Sequence, residues 1–513
     1  MELPISEVDL LRDRGRAYAE RREWSKAVES FSAALAIAPN DPLLPFQRGG
    51  IYVALKEWSE AVADFTEALR LRPDWAEALR QRGLAHLESG AFEAALADLS
   101  EAIRILPENG DAWHGRGVAY ARDEDFEAAI SDFTEALKHI PDAIGTWMNR
   151  GSAHAMLGQH ADAITDFAEV IRRQPRETQA YCYRAQSYLA EGDEDRAIAD
   201  FSTALRLDSR NAEAFWYRGR LLLERGEFEK AAADFTWVLR LLPDHAGALN
   251  QRGVARAELN QHEGAIADFT EALRLDTDDP APLFNRGLSR LRIADFTGAV
   301  ADFTTALEQQ PEEAGALVHR GYAYAELGDT AAALADFEAA RELEPEESSI
   351  FFSRGVLWSR LGNLDAALAD FTEALRLDPD YAPAYEIRGG LRYDAGDAIG
   401  AVADYEAANE IDPDNPMTLN HLAWIRATSW DVELRDGPKA VELAKQACEL
   451  SDWEEAGYLD TLAAAHAENG QFAEAIQWQE KSLELAEEDD KPIYQGRLEG
   501  YRNGEKWTEE PPR

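Results

Sequence analysis

The chain has 513 residues, 45% of them hydrophobic, and 97 acidic against 52 basic side chains leave a formal net charge of −45. That apolar content is enough to bury a continuous core, so wholesale disorder is excluded. The negative field repels phosphate backbones and anionic lipid, which disfavours nucleic acid and membrane as partners and favours a cationic protein or peptide; the same charge also keeps a long exposed molecule in solution.

The N-terminal stretch, MELPISEVDLLRDRGRAY, has no apolar signal region and runs directly into a repeating pattern, so the cytoplasm is the default location. No stretch approaches the 18 or so apolar residues of a membrane span. Cys182 and Cys448 are the only cysteines and lack both a disulfide framework and zinc-ligand spacing. A phosphate-binding glycine loop, a nucleophile elbow and a kinase signature are all missing, and the ten histidines are scattered. The expectation is a non-enzymatic chain with no cofactor and no metal.

The pattern has a period of 34 residues. Arginine recurs at Arg14, Arg48, Arg82, Arg116, Arg150, Arg184, Arg218, Arg252, Arg286, Arg320, Arg354 and Arg388, and glycine follows it in every unit except one, where Ala185 stands. With the unit starting at Val8, the arginine is the seventh residue and the twentieth is alanine twelve times, from Ala27 to Ala401. A small side chain held so strictly predicts two closely pressed helices. Glycine is frequent at the fifteenth residue (Gly90, Gly158, Gly226), where a left-handed residue ends a helix. Proline at the thirty-second, as in Pro73 and Pro107, closes the unit. Between these marks lie two amphipathic helices of about 13 residues, such as 76–89 and 92–105.

This unit resembles the tetratricopeptide repeat, as Trp113, Gly117, Tyr120, Ala129, Phe133, Ala136 and Pro141 of the fourth copy illustrate. The resemblance covers about residues 8–487. It implies an all-α, right-handed superhelical solenoid of about fourteen helix-turn-helix repeats of 34 residues. The expected organisation is twelve regular repeats over 1–415, two variant repeats over 416–487, and a capping helix and tail over 488–513. Arginine at the seventh position is a departure, because the family usually has leucine there.

Aspartate occupies the twenty-third position of eleven units, from Asp64 to Asp404, with Ser30 in the first. Folding the two helices together brings positions seven and twenty-three to the same height, which predicts a repeated Arg–Asp salt bridge, within a unit or across its boundary. In the last two repeats Leu422 and Leu462 replace the arginine, and Leu443 and Trp478 the aspartate. The alternative, a comb of arginines for phosphate or carboxylate ligands, is weakened by the neutralising aspartates.

The resemblance further implies that the first helix of each unit lines a concave groove, through its second, fifth, ninth, twelfth and thirteenth residues. These positions vary while the framework does not. Candidate contacts for a protein or peptide partner are Phe46, Met148, Trp216, Arg220, Phe284, Tyr322 and Phe352. The rival reading is that neighbouring helices cover the aromatic ones. Arg12, Arg16 and Arg80 make the N-terminal end locally basic, or else form ordinary surface pairs. The lysine–asparagine clamp with which some family members grip a terminal carboxylate is absent, Arg12, Arg16, Gln47 and Glu77 standing near the comparable places.

From Pro416 the register changes. About five extra residues around 430–437 lengthen an inter-helix loop, 491–507 are expected to form one more helix over the last unit, and residues after Thr508 to fray. Function therefore reads as a protein-interaction scaffold. Two other readings stay open: a regulatory or localising subunit of a separately encoded enzyme, and a self-assembling structural protein. The oligomeric state is not specified.

Overall fold

In the computed structural model, residues 6–511 are described. Residues 1–5, in the stretch read as lacking a signal region, and 512–513, at the end of the tail, lie outside them. All regular structure among the described residues is helical: twenty-nine α-helices, from α1 (Glu7–Glu20) to α29 (Lys491–Arg502), and one short 3-10 turn, Val432–Leu434. Odd-numbered helices up to α27 (Ala456–Glu468) are the first helix of a repeat, and the even-numbered ones are the second. The chain forms two compact units, one ending at Leu259 and one beginning at Asn260. The first holds α1 to α15 (Ala246–Glu258), and the second holds α16 (His262–Leu275) onward.

One repeat shows why these residues make these elements. In α6 (Phe92–Ile105), Phe92, Ala95, Leu96, Leu99, Ala102 and Ile103 fall on one stripe at three- and four-residue spacing. The preceding α5 (Ala76–Glu88) ends when Gly90 turns left-handed at φ +82° and the Ala91 N–H reaches back to the His86 carbonyl, the bond that closes a Schellman turn. The sequence pattern marks only the glycine-bearing copies of this turn. Arg22, Lys56, Glu124, Asn260 and Ala294 take the same place with φ between 57° and 62°, so the tertiary fold imposes the turn where the residue does not favour it.

All twelve alanines at position twenty are completely buried. Beside them runs a ladder of buried phenylalanines at position twenty-four, including Phe65, Phe133, Phe235 and Phe303, each contributing about 1.5–3 kcal/mol of apolar burial. These rings explain the glycine after each arginine. A Cβ on Gly117 would lie 2.7 Å from the Phe133 ring, and one on Gly287 2.8 Å from Phe303.

The arginine ladder pairs within the repeat. Arg48 Nε and Nη2 donate to the two carboxylate oxygens of Asp64, and the same bidentate geometry, at 2.6–3.0 Å, recurs up to Arg388 and Asp404. Burial alone pushes the Asp234 carboxyl above its ordinary value despite Arg218, whereas the hydrogen bonds to aspartate hold Arg116 and Arg184 further toward the charged form. Arg14, opposite Ser30, has no aspartate and lies exposed over the Tyr18 ring.

A third ladder completes the contact. The remaining guanidinium nitrogen, Nη1, donates to a side chain sixteen residues earlier, on the second helix of the preceding repeat: Arg48 to Ser32, Arg116 to Ser100, Arg150 to Thr134 and Arg388 to Thr372. Glu338 plays this part for Arg354. Where this third bond forms, the guanidinium joins its own two helices and ties them to the repeat before; Ala168 offers Arg184 no such acceptor.

In the variant repeats Leu422 and Leu443 share one apolar cluster, as expected of a leucine-type seam. The loop between α25 (Pro416–Thr428) and α26 (Gly437–Leu450) holds the 3-10 turn. Tyr494, Leu498 and Tyr501 of α29 are buried against α27 and α28 (Phe472–Leu485). The expectation of fraying after Thr508 fails at Glu509, which is fixed by three hydrogen bonds.

Candidate binding surface

The fifth residue of a first helix sits above the phenylalanine ladder. Phe46 packs on Phe65 and on Trp75 of the next inter-repeat turn, with ring centroids 5.7 and 4.3 Å apart. Trp216 makes the same pair of contacts with Phe235 and His245, and Phe352 with Phe371 and Tyr381. Phe284 meets Phe303 and His319 edge-on. All four are half-buried, so one edge belongs to the core and the other remains open. The structure thus divides the two readings of these side chains between opposite edges of the same rings.

The other candidates differ. Tyr322 is exposed, with only an edge contact to Phe296. Arg220 is exposed beside Glu224 at 3.7 Å. Met148 is half-buried, on the helix where Ser152 donates to its carbonyl. At the N-terminal end Arg12 pairs with Asp9, and Arg80 with Glu77 in bidentate fashion, so these cations are ordinary ion pairs.

Two neighbouring cavities open on the first-helix face of the second unit. One, of about 350 Å³, is lined by Asp279, Phe284, Asn285, Gln310 and Glu313 across α17 (Ala281–Arg292) and the next turn. The second, of about 430 Å³, is lined by Val318, His319 and Tyr322 of α19 (Ala314–Glu326), with Glu313, Glu344 and Glu347 at its rim. Phe284 and Tyr322 thus stand in adjoining cavities that share Glu313. Burial holds His319 below the usual imidazole range, and Arg292 lowers it further, so it faces the cavity uncharged at neutral pH. Among the described residues, Glu313, Glu344 and Glu347 have no cationic partner within ion-pair distance. The first unit carries a smaller cavity, about 190 Å³, lined by Val118, Arg122, Phe126, Asn149 and Ser152.

The two cavities thus present aromatic edges, a neutral imidazole and carboxylates without a cationic partner. Cys182, a fifth-position residue, is no nucleophile, since burial pushes its thiol up to about 11. The acidic rim was missed by sequence reasoning, because these glutamates and Asp279 belong to turns outside the varying positions of the first helix. Their signal was their number in the inter-repeat turns.

Sequence profiles of the tetratricopeptide repeat match residues 49–114, then overlapping stretches from 95 to 280 and 284–348, and finally 348–381 and 456–488. Comparison with curated proteins gives no match. Among solved structures, the chain is similar to a tetratricopeptide repeat protein from Parabacteroides merdae, at 24% identity over 48% of this chain and 98% of that one, with a TM-score of 0.37. Yeast Tom70 aligns at 21% identity over 97% and 96% of the two chains, with a TM-score of 0.35. A chain of the Cut9–Hcn1 APC/C hetero-tetramer aligns at 15% identity over 97% and 96%, with a TM-score of 0.39. With 34-residue helix pairs over its twelve regular repeats and these profile matches over most of its length, the chain belongs to the tetratricopeptide repeat family.

Proposed function

We propose that this protein is a non-enzymatic interaction scaffold that holds a cationic protein or peptide segment against the first helices of its repeats. The observation that carries this reading is the pair of adjoining cavities around Phe284 and Tyr322, where aromatic walls meet carboxylates with no internal cation to neutralise them. A lysine or arginine side chain laid over Tyr322 gains ring contact and a carboxylate partner together. The net charge of −45 draws such a partner in from a distance.

The test is affinity capture with mass spectrometry, comparing wild type with Tyr322→Ala combined with Glu313→Gln and Glu344→Gln. All three positions are exposed, so the fold is expected to persist, as helical circular dichroism will verify. The captured partner should be lost from the variant and its binding to wild type should weaken as salt rises. Undiminished capture by a folded variant would overturn the assignment.

A further inference from the structure

On the last three repeats the first-helix face is already occupied. After α29, Gly504 turns the chain at φ +76° and residues 505–509 run back over α23 (Ala382–Asp394), α25 and α27. The Glu509 N–H donates to the Thr428 carbonyl at 2.8 Å, its Oε1 accepts from Trp424 Nε1 at 2.9 Å, and its Oε2 accepts from the Tyr393 hydroxyl. The Arg497 guanidinium lies between the rings of Trp424 and Trp507, 4.6 and 4.9 Å from their centroids, and bonds to the buried carboxylate of Asp460. Counted in their repeats, Tyr393, Trp424, Thr428 and Asp460 are twelfth, ninth, thirteenth and fifth residues of first helices, so every receiving residue occupies one of the variable positions, Thr428 through its main-chain carbonyl.

We infer that Tyr393, Trp424 and Thr428 form a recognition site for an extended peptide segment bearing a carboxylate two residues after an aromatic ring, with residues 507–509 of this chain as the resident ligand. Two features separate this ligand from the core beneath it. Tyr494, Leu498 and Tyr501 of α29 are buried, whereas residues 502–508 are exposed and only Glu509 is partly covered. The segment is also held by a few side-chain contacts and a single main-chain bond, the pattern of a region that opens without global unfolding. A short tether keeps it at an effective concentration of the order of millimolar, so a free peptide of the same chemistry competes only once the segment is displaced. The site is on other repeats than the Phe284–Tyr322 cavities, and its success or failure is independent of theirs.

The experiment uses the full chain with Trp507→Ala and Glu509→Ala, which empties the site while Arg497 keeps its Trp424 ring contact and its bond to Asp460. The probe is a fluorescein-labelled peptide of residues 503–510, followed by anisotropy. The emptied variant should bind it, and wild type should bind at least roughly tenfold more weakly because its own segment competes. A peptide carrying the Glu509→Ala change should bind the emptied variant roughly tenfold more weakly, as expected for loss of a charge-assisted hydrogen bond. Adding Tyr393→Phe and Trp424→Phe to the emptied protein should erase that difference. An emptied variant with native circular dichroism that does not bind, or wild type that binds equally well, would overturn the proposal. Hydrogen exchange gives a second readout: the Glu509 amide should be protected in wild type and faster in the Tyr393→Phe/Trp424→Phe chain, and equal rates would also overturn it.

Discussion

The guanidinium of Arg116 makes a bidentate pair with Asp132, a third bond to Ser100, and lies over the Trp113 and Tyr120 rings. Removing it strands a carboxylate that is almost fully buried. Arg116→Ala is therefore expected to cost about 3–5 kcal/mol locally, while Arg14→Ala, with no aspartate opposite, should change stability by less than about 0.5 kcal/mol. Replacing both members of the pair, Arg116→Met with Asp132→Leu, should recover most of the loss, because no charge is then left buried. Chemical denaturation of the three variants checks the order. The adjoining glycine gives a second residue-scale comparison. Gly117→Ala forces a Cβ against the Phe133 ring and should destabilise by about 1–3 kcal/mol. Gly389→Ala, whose nearest atoms on Tyr405 are 3.3 Å away, should cost less, since the gain in helix propensity of about 1 kcal/mol offsets a smaller clash. Ala185 shows that one repeat already accommodates the methyl group.

At the scale of the element, the turn between the two helices is the same in the twelve regular repeats whether or not glycine stands in it. Ala294, at φ 59°, adopts a conformation that costs an L-residue about 1–2 kcal/mol. Ala294→Gly should relieve part of this and raise local stability by about 0.5–1 kcal/mol, measured as slower amide exchange in α17 and α18 (Phe296–Gln309). The hydroxyl ladder acts between elements of successive repeats. Ser100→Ala removes the acceptor for Arg116 Nη1 and should cost about 0.5–1.5 kcal/mol. Exchange should rise in α7 (Gly110–Arg122) and in α6, on the two sides of that junction; unchanged protection there would mean the third bond contributes nothing.

Within each compact unit the helical repeats pack on adjacent repeats, the C-terminal segment apart, so a unit's stability is a sum of repeat and junction contributions rather than one cooperative quantity. The effect of Arg116→Ala should consequently be confined to the repeats around it, and amide protection in α27 and α28 should match wild type. A uniform rise in exchange along the chain would contradict nearest-neighbour behaviour.

The period, the helix pairs and the Arg–Asp bridges are legible in the linear chain because each depends on residues within one 34-residue unit, sixteen apart at the bridge. The Ser32, Ser100 and Thr134 ladder is less regular, broken at Ala168, and blends into a polar helix face, so its meaning needed the guanidinium's third nitrogen to be placed. Whether Phe284 or Trp216 offers an open edge depends on the next repeat's turn, which is not encoded at the position itself. The return of Glu509 to Tyr393 spans 116 residues, and no local pattern signals such a contact. Short-range periodicity thus determined the repeat and its internal bonds. Only the stacked structure decided which rings stay accessible, where unpaired carboxylates gather, and that the tail lies against first helices of earlier repeats, because each depends on surfaces formed when distant segments meet.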